Sequence, residues 1–367
     1  MNDLIYLSAK KLALCDLLLK DSNYEYSDWF RSTVYHGPDF VNSRVHQIRP
    51  PWPLAPTPFP LPALTTTTNN FADVMDKIAE RYCQDIVATD KIPYLYWSGG
   101  IDSTGILVSL LKNNNQNFLN RLVILLNQES INENAYFYYQ FIQGKLQEQD
   151  CDSFEINADN YTTISLLDGD AGNQCMGSGA INQIAYTQQY ELLDDPWSDS
   201  FLKRINFNNK TLLAIVNDSI NAAPIPVNTG HDYLWWINFN FKFDDVLLNK
   251  CVSYFKNLTA AQSKYFFENN LFRFYQQADM QVWSLLTTDL RREKLKITPK
   301  YFPKQYIYEF DRNDLWFSNK IESKSGAYTA WTHSTTSPVF AIDSNWQTYR
   351  LDNATTRSEL GKILKRK

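Results

Sequence analysis

The sequence predicts an α/β fold: a parallel β-sheet followed by a mostly helical C-terminal lobe. Short apolar runs at 94–97, 121–126, 153–157 and 163–167 alternate with stretches of helical spacing, the aromatic-rich 131–146 among them, the pattern of βαβ units. Two of these runs, the first and the last, empty into glycine-rich loops, where an open parallel sheet binds its ligands. The 367 residues, 44% hydrophobic and 15% aromatic, are enough for a large core and for more than one compact unit.

The N-terminal stretch 1–49 mixes short helical patterns with an aromatic, polar segment that carries no specific chemistry; His36 and His46 are isolated in it. Seven of the 15 prolines fall in 50–62. Repeated Pro fixes φ and blocks both helix and central strand, so this is read as a stiff connector, with a ligand for a proline-reading domain as the alternative. An amphipathic helix is expected over 71–82, leading into the strand at 94–97, whose four bulky residues suit burial on both faces.

That strand runs into Ser98-Gly99-Gly100-Ile101-Asp102-Ser103-Thr104, after which Ile106, Leu107, Leu110 and Leu111 recur at helical spacing. The reading is strand, tight loop, helix. Gly99 and Gly100 let backbone N–H groups approach a ligand, Ser98, Ser103 and Thr104 add hydroxyls, and the new helix aims its unpaired N–H groups at the same space. Such a place favours phosphate. The lysine and spacing of the Walker loop are missing. A second glycine-rich exit, Asp168-Gly169-Asp170-Ala171-Gly172-Asn173-Gln174, follows the run at 163–167.

The segment Ser98-Gly-Gly-Ile-Asp-Ser103 resembles the S-G-G-x-D-S signature of the PP-loop ATP pyrophosphatases, which have an adenine nucleotide α-hydrolase-like fold. The second loop is similar to the G-[DE]-x-[GA]-D-[EQ]-x-x-G segment of their asparagine-synthetase branch. The resemblance covers about 71–179 and implies ATP and Mg²⁺ as cofactors. It implies nucleotide contacts at Ser98, Gly99, Gly100, Asp102, Ser103, Thr104, Leu126, Gly169, Asp170 and Gly172, with Leu126 at the strand end that cradles adenine. The metal would lie on Asp102 and on position 173, where Asn173 replaces the family's Asp and brings no charge. A late lysine of the family stabilises adenylation; Lys300, Lys304 and Lys324 are the candidates, and no motif chooses among them. With these assignments the domains expected are 1–70, an N-terminal segment with the Pro-rich connector; 71–230, the ATP-binding α/β domain; and 231–367, a helical, aromatic lobe.

Position 2 is Asn where the glutamine-hydrolysing domain of asparagine synthetase has its nucleophilic Cys, and 70 residues are too few for that domain. The five cysteines lie far apart with no C-x-x-C pair, which disfavours thiolating and deazaguanine branches and reads as reduced thiols in a cytoplasmic protein. No membrane-spanning run and no signal peptide are read, and a net charge of −5 disfavours nucleic acid as a partner. The expectation is an AMP-forming ligase joining a small carboxylate to an amine or ammonia, the latter free or delivered by a partner protein. The alternatives are adenylation of a nucleobase carbonyl and a degenerate nucleotide-binding protein. Beside Gly230, His231 and Asp232 read as an ordinary surface turn more readily than as active-site residues, and 267–290 reads as one or two helices.

Overall fold

The structure, a computed structural model, describes residues 5–8, 44, 61–64, 70–177, 179–204, 210–254, 257–320, 339–342 and 348–351. Its strands in chain order are β1 (Ile5–Ser8), β2 (Ile92–Tyr96), β3 (Val123–Leu126), β4 (Gln147–Asp150), β5 (Ile164–Asp168), β6 (Leu271–Arg273), β7 (Val339–Ile342) and β8 (Thr348–Leu351). The chain divides into two compact units: Pro62–Met176 with Asn257–Ser323, and Met1–Leu61 with Gly177–Lys256 and Lys324–Lys367.

The first of these units holds a five-stranded sheet, all parallel, in the order β4-β3-β2-β5-β6. The chain starts at the centre with β2, steps outward through β3 to β4, and then crosses back to lay β5 on the other side of β2. Burial follows this order. Every residue of β3 and β5 is buried, whereas β4, at the edge, has three of its four residues exposed. The Trp97 N–H donates to the Leu125 carbonyl at 2.9 Å, carrying the ladder one residue past β2.

Helix α1 (Phe71–Val87) is capped by the Asn70 side chain, which accepts from the Asp73 N–H. It buries Phe71, Val74, Met75, Ile78, Tyr82 and Ile86, one stripe at 3.6-residue spacing. Helix α2 (Ile101–Asn113) is buried almost all round, because α1 packs on it from one side and α7 (Tyr301–Asp311) from another. The Tyr306 hydroxyl of α7 bonds to Asp76 of α1, and the Lys112 ammonium at the end of α2 meets the same carboxylate at 2.6 Å. These contacts hold α7 against α1 and α2, and the Lys300–Asp102 pair sets its start at the signature loop.

Three expectations are corrected. The strand expected at 153–157 lies earlier, at Gln147–Asp150, and 153–157 is loop. An exposed edge strand needs no apolar side chains; Phe154, which suggested a strand, packs its ring on Tyr94 at 4.9 Å instead. The helix expected over 131–146 is broken into α3 (Gln128–Glu133), Ala135–Phe137 and a π-helical turn at Tyr138–Ile142, and Gly144 at φ 67 then turns the chain into β4. Within 267–290, expected to be helical, three residues form β6, held to β5 by sheet pairing that local periodicity does not reveal. The rest of 257–320 is predominantly helical. No helix among the described residues is long and apolar enough to cross a membrane.

The other unit contains the antiparallel sheet β1-β7-β8 and the long helix α5 (Gly230–Tyr254). Tyr233, Trp235, Trp236, Phe239, Phe241 and Phe243 are all fully buried along α5, and the Arg44 guanidinium lies over the rings of Phe239 and Phe243 at 4.4 and 4.1 Å. The proline connector at 50–60 and the tail from 352 lie outside the described residues. His231 and Asp232 are not a surface turn: they are 1% and 4% exposed. Thr229 caps α5, its Oγ1 accepting the Asp232 N–H at 3.2 Å, and the Asp232 carboxylate reaches back to accept the N–H groups of Asn228 and Thr229 at 3.2 and 3.0 Å.

Burial alone pushes the Asp232 carboxyl up, but hydrogen bonds from His231 and Thr229 outweigh it and hold the group down to about 2. A carboxyl whose folded value is depressed stabilises the fold above its unfolded value of about 4 and loses that contribution as pH falls toward 2. Asp232→Asn is therefore expected to lower stability by about 1–2 kcal/mol at pH 6, with the gap to wild type closing between about pH 4 and pH 2. Urea midpoints measured across that range check it, and a gap independent of pH contradicts the cap.

Candidate functional site

The reversal of strand order between β2 and β5 identifies a place without reference to any motif. Chains leaving two adjacent strands in opposite directions open a crevice at their carboxyl ends. Here the two walls of that crevice are the exits of β2 and β5, the two glycine-rich loops.

In the first wall, Gly99 takes φ +72, and a Cβ on it would fall 2.3 Å from the Ser130 carbonyl oxygen and 2.8 Å from Glu133 Cβ of α3. Only glycine fits there. Gly100 is extended (φ −72, ψ 169) and forms the N-cap of α2 with no side chain closing the helix end. The loop is held by its own serines: the Ser98 N–H donates to Ser103 Oγ at 3.1 Å, the two hydroxyls meet at 3.0 Å, and the Gly100 N–H reaches Ser98 Oγ at 3.3 Å. Ser98 is exposed and Asp102 half-buried. Thr104 is fully buried, and its Oγ1 takes the indole N–H of Trp97 at 3.1 Å; it braces strand to helix rather than lining the crevice.

The second wall comes within contact of the first. A Cβ on Gly169 would lie 3.6 Å from the Ser103 nitrogen, and one on Gly172 would strike the Asp102 carboxylate, 2.4 Å from Cγ. The turn between them is tight: the Asp170 N–H donates to Asp168 Oδ1 at 2.7 Å, and Ala171 sits at φ 69. Gly172 and Asn173 open the short helix α4 (Gly172–Met176). Leu126 ends β3, where its carbonyl accepts the Cys151 N–H at 3.0 Å.

The late lysines separate clearly. Lys300 places its Nζ 2.8 and 3.0 Å from the two carboxylate oxygens of Asp102, with its side chain only 4% exposed. Its backbone is left-handed, φ 53 and ψ 41, at the N-cap of α7, a conformation that costs a non-glycine residue roughly 1–2 kcal/mol. Lys304 is 2% exposed and donates to Thr298 Oγ1 at 2.7 Å. Lys324 lies outside the described residues. A further lysine, Lys320, pairs with Glu133, which itself packs against Gly99.

Sequence reasoning missed the groups beneath these loops. Tyr275, fully buried just after β6, donates its hydroxyl to the Asp102 carbonyl at 2.9 Å, and Gly105 leaves the room for it. Burial, with the Asp102 charge beside it, raises the phenol well above its usual value, so it stays a donor. The Tyr275 carbonyl accepts the Cys175 thiol at 3.2 Å, the Cys175 carbonyl accepts Ser284 Oγ at 2.6 Å, and the Ser284 carbonyl accepts Arg291 Nη2 at 2.7 Å. This chain ties α4 to the first turn of α2. All but the last of these links join residues 100 or more apart in sequence, so periodicity held no sign of them.

For a divalent metal the donors are hard oxygens: the Asp102 carboxylate, the acidic exit of β5, and the Asn173 amide next to Gly172. That set suits Mg²⁺, although Asp102 is already shared with an ammonium. Elsewhere, Asp150, Cys151 and Asp152 bring three ligand atoms within 4.8 Å at the end of β4. Burial and Asp152 push the Cys151 thiol up to about 11, which leaves it protonated and a poor ligand at neutral pH. No family model matches the chain, and neither a curated protein nor a solved structure matches it.

The two signature glycines are expected to differ. Gly99→Ala meets both the positive φ and the 2.3 Å clash with backbone and should cost about 1–3 kcal/mol. Gly100→Ala meets only the Ser98 hydroxyl at 3.1 Å and should cost about 1 kcal/mol or less. Urea unfolding of the two variants measures the difference; equal losses contradict this loop geometry.

Proposed function

We propose that this chain is an AMP-forming, ATP-dependent ligase similar to the synthetase half of asparagine synthetase, joining a small carboxylate to ammonia or an amine. The observation that supports it best is the meeting of Asp102 and Lys300 between two glycine walls at the switch point of a parallel sheet. A cation and a carboxylate facing backbone N–H groups at a helix start are the groups that polyphosphate chemistry needs.

In this reading the β,γ-phosphates of ATP rest on Ser98–Ser103, with Gly99 and Gly100 admitting them to the backbone. A carboxylate oxygen of the substrate attacks the α-phosphorus, the bond to the bridging oxygen breaks, and pyrophosphate leaves with the electron pair. Ammonia or the amine then attacks the acyl carbon, AMP departs, and the nitrogen gives up a proton. Mg²⁺, held by Asp102 with Asn173 beside it, would supply charge neutralisation for the phosphates when bound. Lys300 orients and neutralises the leaving pyrophosphate, and Tyr275 holds Asp102 in place through its carbonyl. Most of the rate comes from positioning and fixed charge.

The experiment follows ATP labelled at the α-phosphate with a panel of small carboxylic acids. Release of AMP and pyrophosphate is expected; ADP and orthophosphate contradict the reading. Dependence on added nucleic acid favours the nucleobase alternative, and binding without turnover favours a degenerate nucleotide-binding protein. Asp102→Ala should lower turnover by at least about a hundredfold. Asn173→Asp should lower the Mg²⁺ concentration for half-maximal activity severalfold, and no change in that concentration removes position 173 from the metal site.

A further inference from the structure

The carboxylate of Asp102 already holds a cation, the Lys300 ammonium. A single Nζ lies 2.8 and 3.0 Å from its two oxygens, so the ammonium sits astride both. The backbone of Gly172 closes another side, since a Cβ there would be 2.4 Å from the carboxylate carbon. Mg²⁺ or Mn²⁺ binds a carboxylate oxygen at about 2.1 Å, which would set it against the Lys300 ammonium in a partly buried space. Two like charges that close repel each other and compete for the one carboxylate between them.

The placement of Lys300 is specific. Its left-handed backbone at the N-cap of α7 is a position suited to Gly or Asn, and no side chain caps the helix there. A lysine held in that conformation with its side chain 4% exposed is kept by what the ammonium binds.

We propose that Lys300 is a built-in counter-ion that keeps Asp102 closed to free divalent cations, so that metal enters only after a polyphosphate anion draws the ammonium away. The idea rests on the nucleotide reading for the identity of that anion. Its central claim, competition between Lys300 and metal for Asp102, does not depend on catalysis. Charge balances at each stage: the carboxylate is neutralised by the ammonium before, and afterwards by the metal while the ammonium passes to phosphate. The functional result is ordered binding, with the metal arriving together with or after the polyphosphate.

The test uses the full chain and Mn²⁺ alone, with free Mn²⁺ followed by its paramagnetic resonance signal. Wild type should show no Asp102-dependent Mn²⁺ site. Lys300→Met, which keeps the length of the side chain, should gain a site binding at least tenfold more tightly, and Lys300→Met with Asp102→Asn should lose it. Lys300→Gly, which suits the left-handed backbone, provides a second variant that relieves the strain and should gain the same site. If wild type binds Mn²⁺ through Asp102 as tightly as the Lys300 variants, or if neither variant gains a site, the proposal is overturned. Failure of the ligase reading registers separately, as absence of pyrophosphate release from ATP.

Discussion

The constraint on which the unit with the parallel sheet depends is the return of the chain across its own sheet. Because β2 is laid down first at the centre and β5 returns to its other side, two loops leave adjacent strands and face each other. Their side chains then have almost no room. Gly99 abuts the Ser130 carbonyl, and Gly172 abuts the Asp102 carboxylate. The glycines make a crevice walled by backbone and carboxylates rather than by bulk.

Rigidity there comes from below. Tyr275 grips the first turn of α2 from the β6 side of the sheet, and the Cys175, Ser284 and Arg291 contacts carry the grip on to α4 and the helix that follows β6. The buried Tyr82 hydroxyl, 3.0 Å from Ser165 Oγ, similarly joins α1 to β5. Burial pushes the Cys83 thiol up to about 12, so it behaves as an inert core group. The second unit is organised differently: an aromatic helix, α5, buried almost all round at residues 233–241 and anchored at its start by Asp232.

The sequence by itself determined the parallel α/β character, the strand–loop–helix read over 94–112, and the two glycine-rich exits. Each is a local matter: bulky residues in a row, glycines at a turn, then a helical period. It misplaced the third strand because an edge strand such as β4 needs no apolar side chains, and it missed β6 because three residues owe their extended form to β5 alone. It also offered three lysines on equal terms. Only the tertiary structure chose among the described ones, setting Lys300 on Asp102 across 198 residues and turning Lys304 to Thr298. The physical reason is that charge pairing is a property of space. Nothing in the local spacing of a lysine records which carboxylate the packing of α7 over α2 will bring to it.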